Sequence, residues 1–89
     1  MIEEATDLAS TDPSGNTALH MACANGHLDI VKLLLKHGAN PNALNKSKNT
    51  PLHWAALNGR TEIIELLIEA KADANLKNEF DHVPLEEAL

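Results

Sequence analysis

Aromatic residues are scarce: 2% of the chain, with Trp54, Phe80 and no tyrosine. A core must therefore be assembled from Leu, Ile, Val and Ala. A single cysteine, Cys23, excludes an internal disulfide framework. No apolar run approaches the roughly 18 residues that a transmembrane helix needs. The opening "MIEEATDLAS" lacks the basic-then-apolar order of a secretory signal. No membrane association is expected, and a cytoplasmic or nuclear setting fits best.

Basic charge is also scarce, and the formal net charge is -6. Residues 1–11 hold Glu3, Glu4 and Asp7; residues 78–89 hold Glu79, Asp81, Glu86 and Glu87. Neither stretch has a Lys or Arg, while the middle, 12–77, is close to neutral. Phosphate contacts need a basic footprint, so direct nucleic-acid binding is not expected. A basic protein partner is compatible with the acidic ends. The 89 residues leave room for one small domain.

What the chain does have is a period. "NTALHMACANGH" at 16–27 nearly recurs as "NTPLHWAALNGR" at 49–60. The spacing of 33 residues also relates Ile30 to Ile63, Leu34 to Leu67, Ala39 to Ala72 and Asn42 to Asn75. A fixed period this long signals a repeat architecture. The units fall at 12–44 and 45–77, with a partial third at 78–89 and an acidic flank at 1–11.

Each unit reads as two short antiparallel helices. Thr17 and Thr50 are N-caps, whose hydroxyls accept a bond from a free helical N–H. Pro51 takes the first helical position, where its missing N–H costs little. The first helices are expected over 18–25 and 51–58, ended by Asn25-Gly26 and Asn58-Gly59. The second are expected over 28–36 and 61–69. Ile30, Leu33 and Leu34, like Ile63, Leu66 and Leu67, have the spacing of a buried stripe. "ANPNALNKSKN" then forms an extended, solvent-facing excursion. Stacking buries the stripes between units.

On these residues the chain resembles the ankyrin-repeat family. Its T-P-L-H-x-A-A stretch stands as Thr17-Ala18-Leu19-His20-Met21-Ala22-Cys23 and Thr50-Pro51-Leu52-His53-Trp54-Ala55-Ala56. The likeness covers 12–89 and implies an all-α ankyrin-repeat solenoid with extended loop tips. More narrowly, "TALHMACANGH", "NTPLHWAALNG" and "NEFDH" look like a small fungal ankyrin-repeat chaperone of a small-subunit ribosomal protein. Lys48 and Lys71 depart from the family by replacing glycines, and a Lys at positive φ is strained.

The resemblance implies that His20 and His53 bond the capping Thr and the next unit's loop backbone. The rival reading makes either histidine the base of a hydrolase. No Ser-His-Asp order or H-E-x-x-H accompanies them. His20 and Cys23 form an H-x-x-C, but a closed zinc site needs about four ligands. No catalytic residue, cofactor or metal is therefore expected. Cys23 matches Ala56 and is expected to be a small buried residue. Asn45-Lys46-Ser47 is a glycosylation sequon in an expected exposed loop. Asn42 and Asn75 match a position that asparagine hydroxylases modify in some ankyrin proteins; each is expected to bond its own loop.

Partners of the family lie across the loop tips and the face of the first helices. The matching positions on the helices are Met21, Asn25, Trp54, Leu57 and Asn58. On the loop tips they are Lys46, Ser47, Asn49, Phe80 and His82. Trp54 is the expected anchor, because Trp is enriched among interface hot spots. Trp54 and Met21 alternatively pack between units, and Phe80 alternatively covers an open end of the core. The function implied is a non-enzymatic protein-binding module, either a chaperone of a basic ribosomal protein or a signalling or transcriptional adaptor. The ends of the stack are expected to be covered by a partner or by a second copy.

Overall fold

The computed structural model describes residues 10–84. Among the described residues four helices follow in order: α1 (Ala18–Asn25), α2 (Leu28–Lys36), α3 (Pro51–Leu57) and α4 (Thr61–Glu69). There is no strand among the described residues. α1 packs on α2 and on α3, and α2 packs on α4. The result is two layers, α1 with α3 and α2 with α4, with the loop tips projecting beside the first.

Each first helix starts on a capping box. Thr17 Oγ1 accepts the His20 N–H at 3.2 Å, and His20 Nδ1 accepts the Thr17 N–H at 3.0 Å. Thr50 and His53 repeat this at 3.2 and 3.0 Å. Histidine thus fills the role that Glu or Gln usually plays three residues after the cap. Gly26 ends α1 with φ 75°, a left-handed conformation that costs glycine nothing. A Cβ there would also meet the Arg60 guanidinium at 2.9 Å. α3 ends one residue earlier than expected, and Asn58 is its C-cap. Both second helices have the expected bounds.

The core is aliphatic, as the scarcity of aromatics requires. Leu19, Ala22, Cys23, Val31, Leu34, Leu52, Ala55, Ile63 and Leu67 form one buried cluster. The stripe expected on α2 is only partly right. Leu34 is buried, but Ile30 is 45% exposed and Leu33 37% exposed, while Val31 is fully buried. The reason is stacking direction. Ile63 is buried because α2 lies against it; Ile30 has no such helix on its side among the described residues.

The excursion after α2 is a series of tight turns. Asn45 N–H bonds to Asn49 C=O at 3.0 Å, and Lys48 N–H to Asn45 C=O at 2.9 Å. Lys48 has φ 64° and Lys71 φ 74°, where the register-matched Gly15 and Gly38 have φ 83° and 93°. The positive φ expected of both lysines is present.

Candidate protein-binding groove

His20 and His53 have no nitrogen left for a substrate. His20 Nε2 lies 2.8 Å from Asn49 C=O, and His53 Nε2 lies 2.9 Å from His82 C=O. A carbonyl can only accept, so each Nε2 carries the proton and each Nδ1 accepts. These bonds go to the capping Thr and to the next unit's loop, as the resemblance implied. Burial lowers the His20 pKa from its usual 6.5, partly opposed by the bond to Asn49. Cys23 is fully buried, and burial pushes its thiol up to about 12. It is a packed residue without thiolate character.

Sequence reasoning missed the loop ladder. Asp12 Oδ1 accepts the N–H groups of Ser14 and Asn16, at 3.0 and 2.8 Å. These bonds, that from Asn16 first, hold the Asp12 pKa below its usual value. Asn45 Oδ1 does the same for Ser47 and Asn49, and Asn78 Oδ1 for Phe80 and His82. Asn45 Nδ2 also donates to Asn16 Oδ1 at 2.8 Å, and Asn78 Nδ2 to Asn49 Oδ1 at 2.9 Å. Backbone bonds from Lys46 to Ser14 and from Glu79 to Ser47 complete the ladder. The sequon asparagine is therefore buried, with both its amide oxygen and its amide nitrogen bonded, contrary to its expected exposure. The signal was legible: Asp12, Asn45 and Asn78 recur at the unit period. Asn42 also departs from expectation. Its side chain bonds the next unit, accepting Asp73 N–H at 2.7 Å.

The ladder and the first helices frame one face. α1 (ALHMACAN) and α3 (PLHWAAL) carry no Asp, Glu, Lys or Arg. Trp54, Leu57, His53, Asn49, Asn78 and Phe80 line a depression of about 160 Å³ there. Leu57 is 52% exposed and Phe80 67% exposed, so Phe80 is no cover for the core. Trp54 is half-buried, and its indole Nε1 is buried with no hydrogen-bond partner among the described residues. Met21 is exposed on α1 and is not packed between units. Phe80 and His82 rings stand 6.5 Å apart at the tip. Lys46 is exposed, and Ser47 and Asn49 are half-buried in the ladder. Asn25 and Asn58 are exposed, but each spends its amide N–H on its own helix, on Met21 C=O and Trp54 C=O, at 3.0 and 2.9 Å.

The family model for "Ankyrin repeats (3 copies)" matches residues 1–78. This chain belongs to the ankyrin-repeat family. The match runs through the acidic stretch at 1–11 as well as through both described units. Over 37 residues the chain is 51% identical to an Aspergillus flavus "Ankyrin-repeat domain containing transcription coregulator asaA". It is 54% identical over 44 residues to the human "Ankyrin repeat and MYND domain-containing protein 1", and 48% identical over 40 to the human "BCL-6 corepressor-like protein 1". These matches cover 42%, 44% and 45% of this chain, and 11%, 5% and 2% of those proteins. Ankyrin repeats are interaction modules, and no helix among the described residues is long and apolar enough to cross a membrane.

Proposed function

We propose that this ankyrin unit binds a partner protein across the α1–α3 face and the loop tips, with Trp54 as anchor. One observation carries the reading: the uncharged depression lined by Trp54, Leu57 and Phe80, of which Leu57 and Phe80 are 52% and 67% exposed. A partner that seats an apolar side chain against Trp54, Leu57 and Phe80 covers apolar surface that otherwise faces water. The adaptor class is favoured over the chaperone class. Two of the relatives above are named as a coregulator and a corepressor-like protein. Nothing in the comparisons supports the narrower likeness to a ribosomal-protein chaperone. A basic partner rests only on the net charge of -6. A cytoplasmic or nuclear setting is part of the same proposal.

The test uses the chain's single tryptophan as its own reporter. A bound partner shifts Trp54 emission to the blue and shields it from acrylamide. Trp54→Ala weakens the affinity by about 2 kcal/mol, the size of an interface hot spot, with the helical circular dichroism retained. Unchanged affinity in Trp54→Ala defeats the proposal.

A further inference from the structure

Two of the asparagines precede a glycine: Asn25-Gly26 and Asn58-Gly59. Asparagine is a thermolabile residue, and a following glycine exposes its weakness. The glycine nitrogen, unhindered by a Cβ, can close on the asparagine Cγ. The N–Cγ bond forms and the Cγ–Nδ2 bond breaks; Nδ2 takes the glycine N–H proton and leaves as ammonia. Water then opens the cyclic imide at either carbonyl. One opening gives aspartate. The other gives isoaspartate, whose main chain runs through Cγ. Both exchange a neutral amide for a carboxylate.

The fold treats the two pairs differently. Ring closure needs the asparagine ψ to turn and the glycine nitrogen to come free. The side chains are tied alike, each Nδ2 to a carbonyl four residues back, at 3.0 and 2.9 Å. The backbones are not alike. Asn25 is the last residue of α1, and the Gly26 N–H bonds to Ala22 C=O as a further helical rung. Gly26 is half-buried, and a Cβ there would stand 2.9 Å from the Arg60 guanidinium. That guanidinium is held in place by bonds from Nε and Nη2 to Ala24 C=O, at 3.4 and 3.3 Å. Turning the Asn25-Gly26 peptide breaks the rung and runs into this cover. Asn58 instead lies outside α3, with φ -98° and ψ 7°. The Gly59 N–H bonds to Ala56 C=O at 3.2 Å, in a turn rather than a helical rung. Gly59 is exposed, and a Cβ there would meet nothing within 4 Å among the described residues.

We propose that Asn58 is a site of spontaneous deamidation in the folded protein, and that the packing of Arg60 on Gly26 protects Asn25 from the same reaction. The product alters the end of α3. It sets a negative charge at a helix C-terminus, where the dipole disfavours it. The helix it follows, PLHWAAL, has no charged side chain. The amide donor to Trp54 C=O is lost, and isoaspartate adds a methylene to the main chain at the turn into α4.

Incubation of the full 89-residue chain at pH 8, sampled over weeks, tests it. Peptide mapping by mass spectrometry locates each exchange of amide for carboxylate, and separation of the isomeric peptides distinguishes isoaspartate from aspartate. Asn58 converts about tenfold faster than Asn25, because the Gly26 rung and the Arg60 bonds must open before Asn25 reacts. In urea these constraints are gone, and the two rates approach each other. Arg60→Ala uncovers Gly26 and speeds Asn25 several-fold. Helical circular dichroism confirms that this variant is folded; if it is not, Arg60→Gln takes its place. Asn58→Gln removes the site, and conversion of the folded chain falls to the slow rate of Asn25. Equal rates in the folded chain overturn the inference, since the reaction would then pass through global unfolding. A difference that persists in urea overturns it too, because local sequence and not the fold would set the rates. So does an Asn25 rate that Arg60→Ala, or Arg60→Gln, leaves unchanged.

Discussion

His20 is the residue most easily mistaken for a catalyst. Its neighbours give it a structural role instead. One nitrogen takes the Thr17 N–H, and the other donates to the Asn49 C=O of the next unit. Removing the ring leaves the Thr17 N–H buried without that partner, while the Asn49 C=O keeps the Asn45 N–H. Each such orphan costs about 1–3 kcal/mol. His20→Ala is therefore expected to lose about 1–3 kcal/mol of unfolding free energy at pH 8, read from urea titrations. The pH dependence has a definite sign. The folded pKa lies below the unfolded 6.5, chiefly through burial. The contribution of His20 is complete above that value and is lost as the pH falls through it toward the lower folded pKa. The gap between wild type and His20→Ala should narrow over that interval. A gap that is flat, or that widens on acidification, contradicts this account. The capping role was readable from T-x-x-H. The partner carbonyl was not, because its supplier lies in another unit and only the stack brings it within reach.

At the scale of elements, caps and turns were the most legible features. Both second helices have the bounds expected from their flanking Gly and from the apolar pattern. The stripe on α2 was harder to read. "LDIVKLLLK" offers apolar residues on most of its circumference, so spacing alone does not choose between Ile30 with Leu33 and Val31 with Leu35. The choice is made by the side on which α4 lies. The loops were legible in one respect: Lys48 and Lys71 stand where the repeat places glycine, and both hold positive φ. A left-handed residue with a Cβ costs about 1–2 kcal/mol, against about 0.5–1 kcal/mol of extra chain entropy for glycine. Lys48→Gly and Lys71→Gly are each expected to raise the unfolding free energy by about 0.5–1 kcal/mol. Both side chains are exposed, so little packing is lost with them. Thermal melts of the single and double variants measure it, and a loss of stability in either would show the turns to be unstrained.

For the whole molecule, position in the stack outweighs residue type. Ile30 and Ile63 are the same residue at the same register, one 45% and the other 2% exposed. Truncating a buried isoleucine to alanine costs about 2–5 kcal/mol. Ile63→Ala should fall in that range, whereas Ile30→Ala should cost less than about 1 kcal/mol, as exposed substitutions do. Urea denaturation compares them directly. Similar losses in the two variants would mean that Ile30 is covered in solution.

The sequence by itself determined the repeat, its period, the caps, the helix bounds and an aliphatic core, because these depend on backbone chemistry and on spacing within one unit. It also placed Trp54 beside the capping histidine of its unit, where neighbouring positions carry no charge. Only the tertiary structure decided which apolar side chains are covered, that Asn45 and Asn78 tie the loop tips into a ladder, and that Trp54, Leu57 and Phe80 meet around one depression. Those outcomes depend on contacts between units about one period apart. The local pattern is nearly the same in every unit, so it carries no record of whether a neighbour lies on one side, on the other or on both.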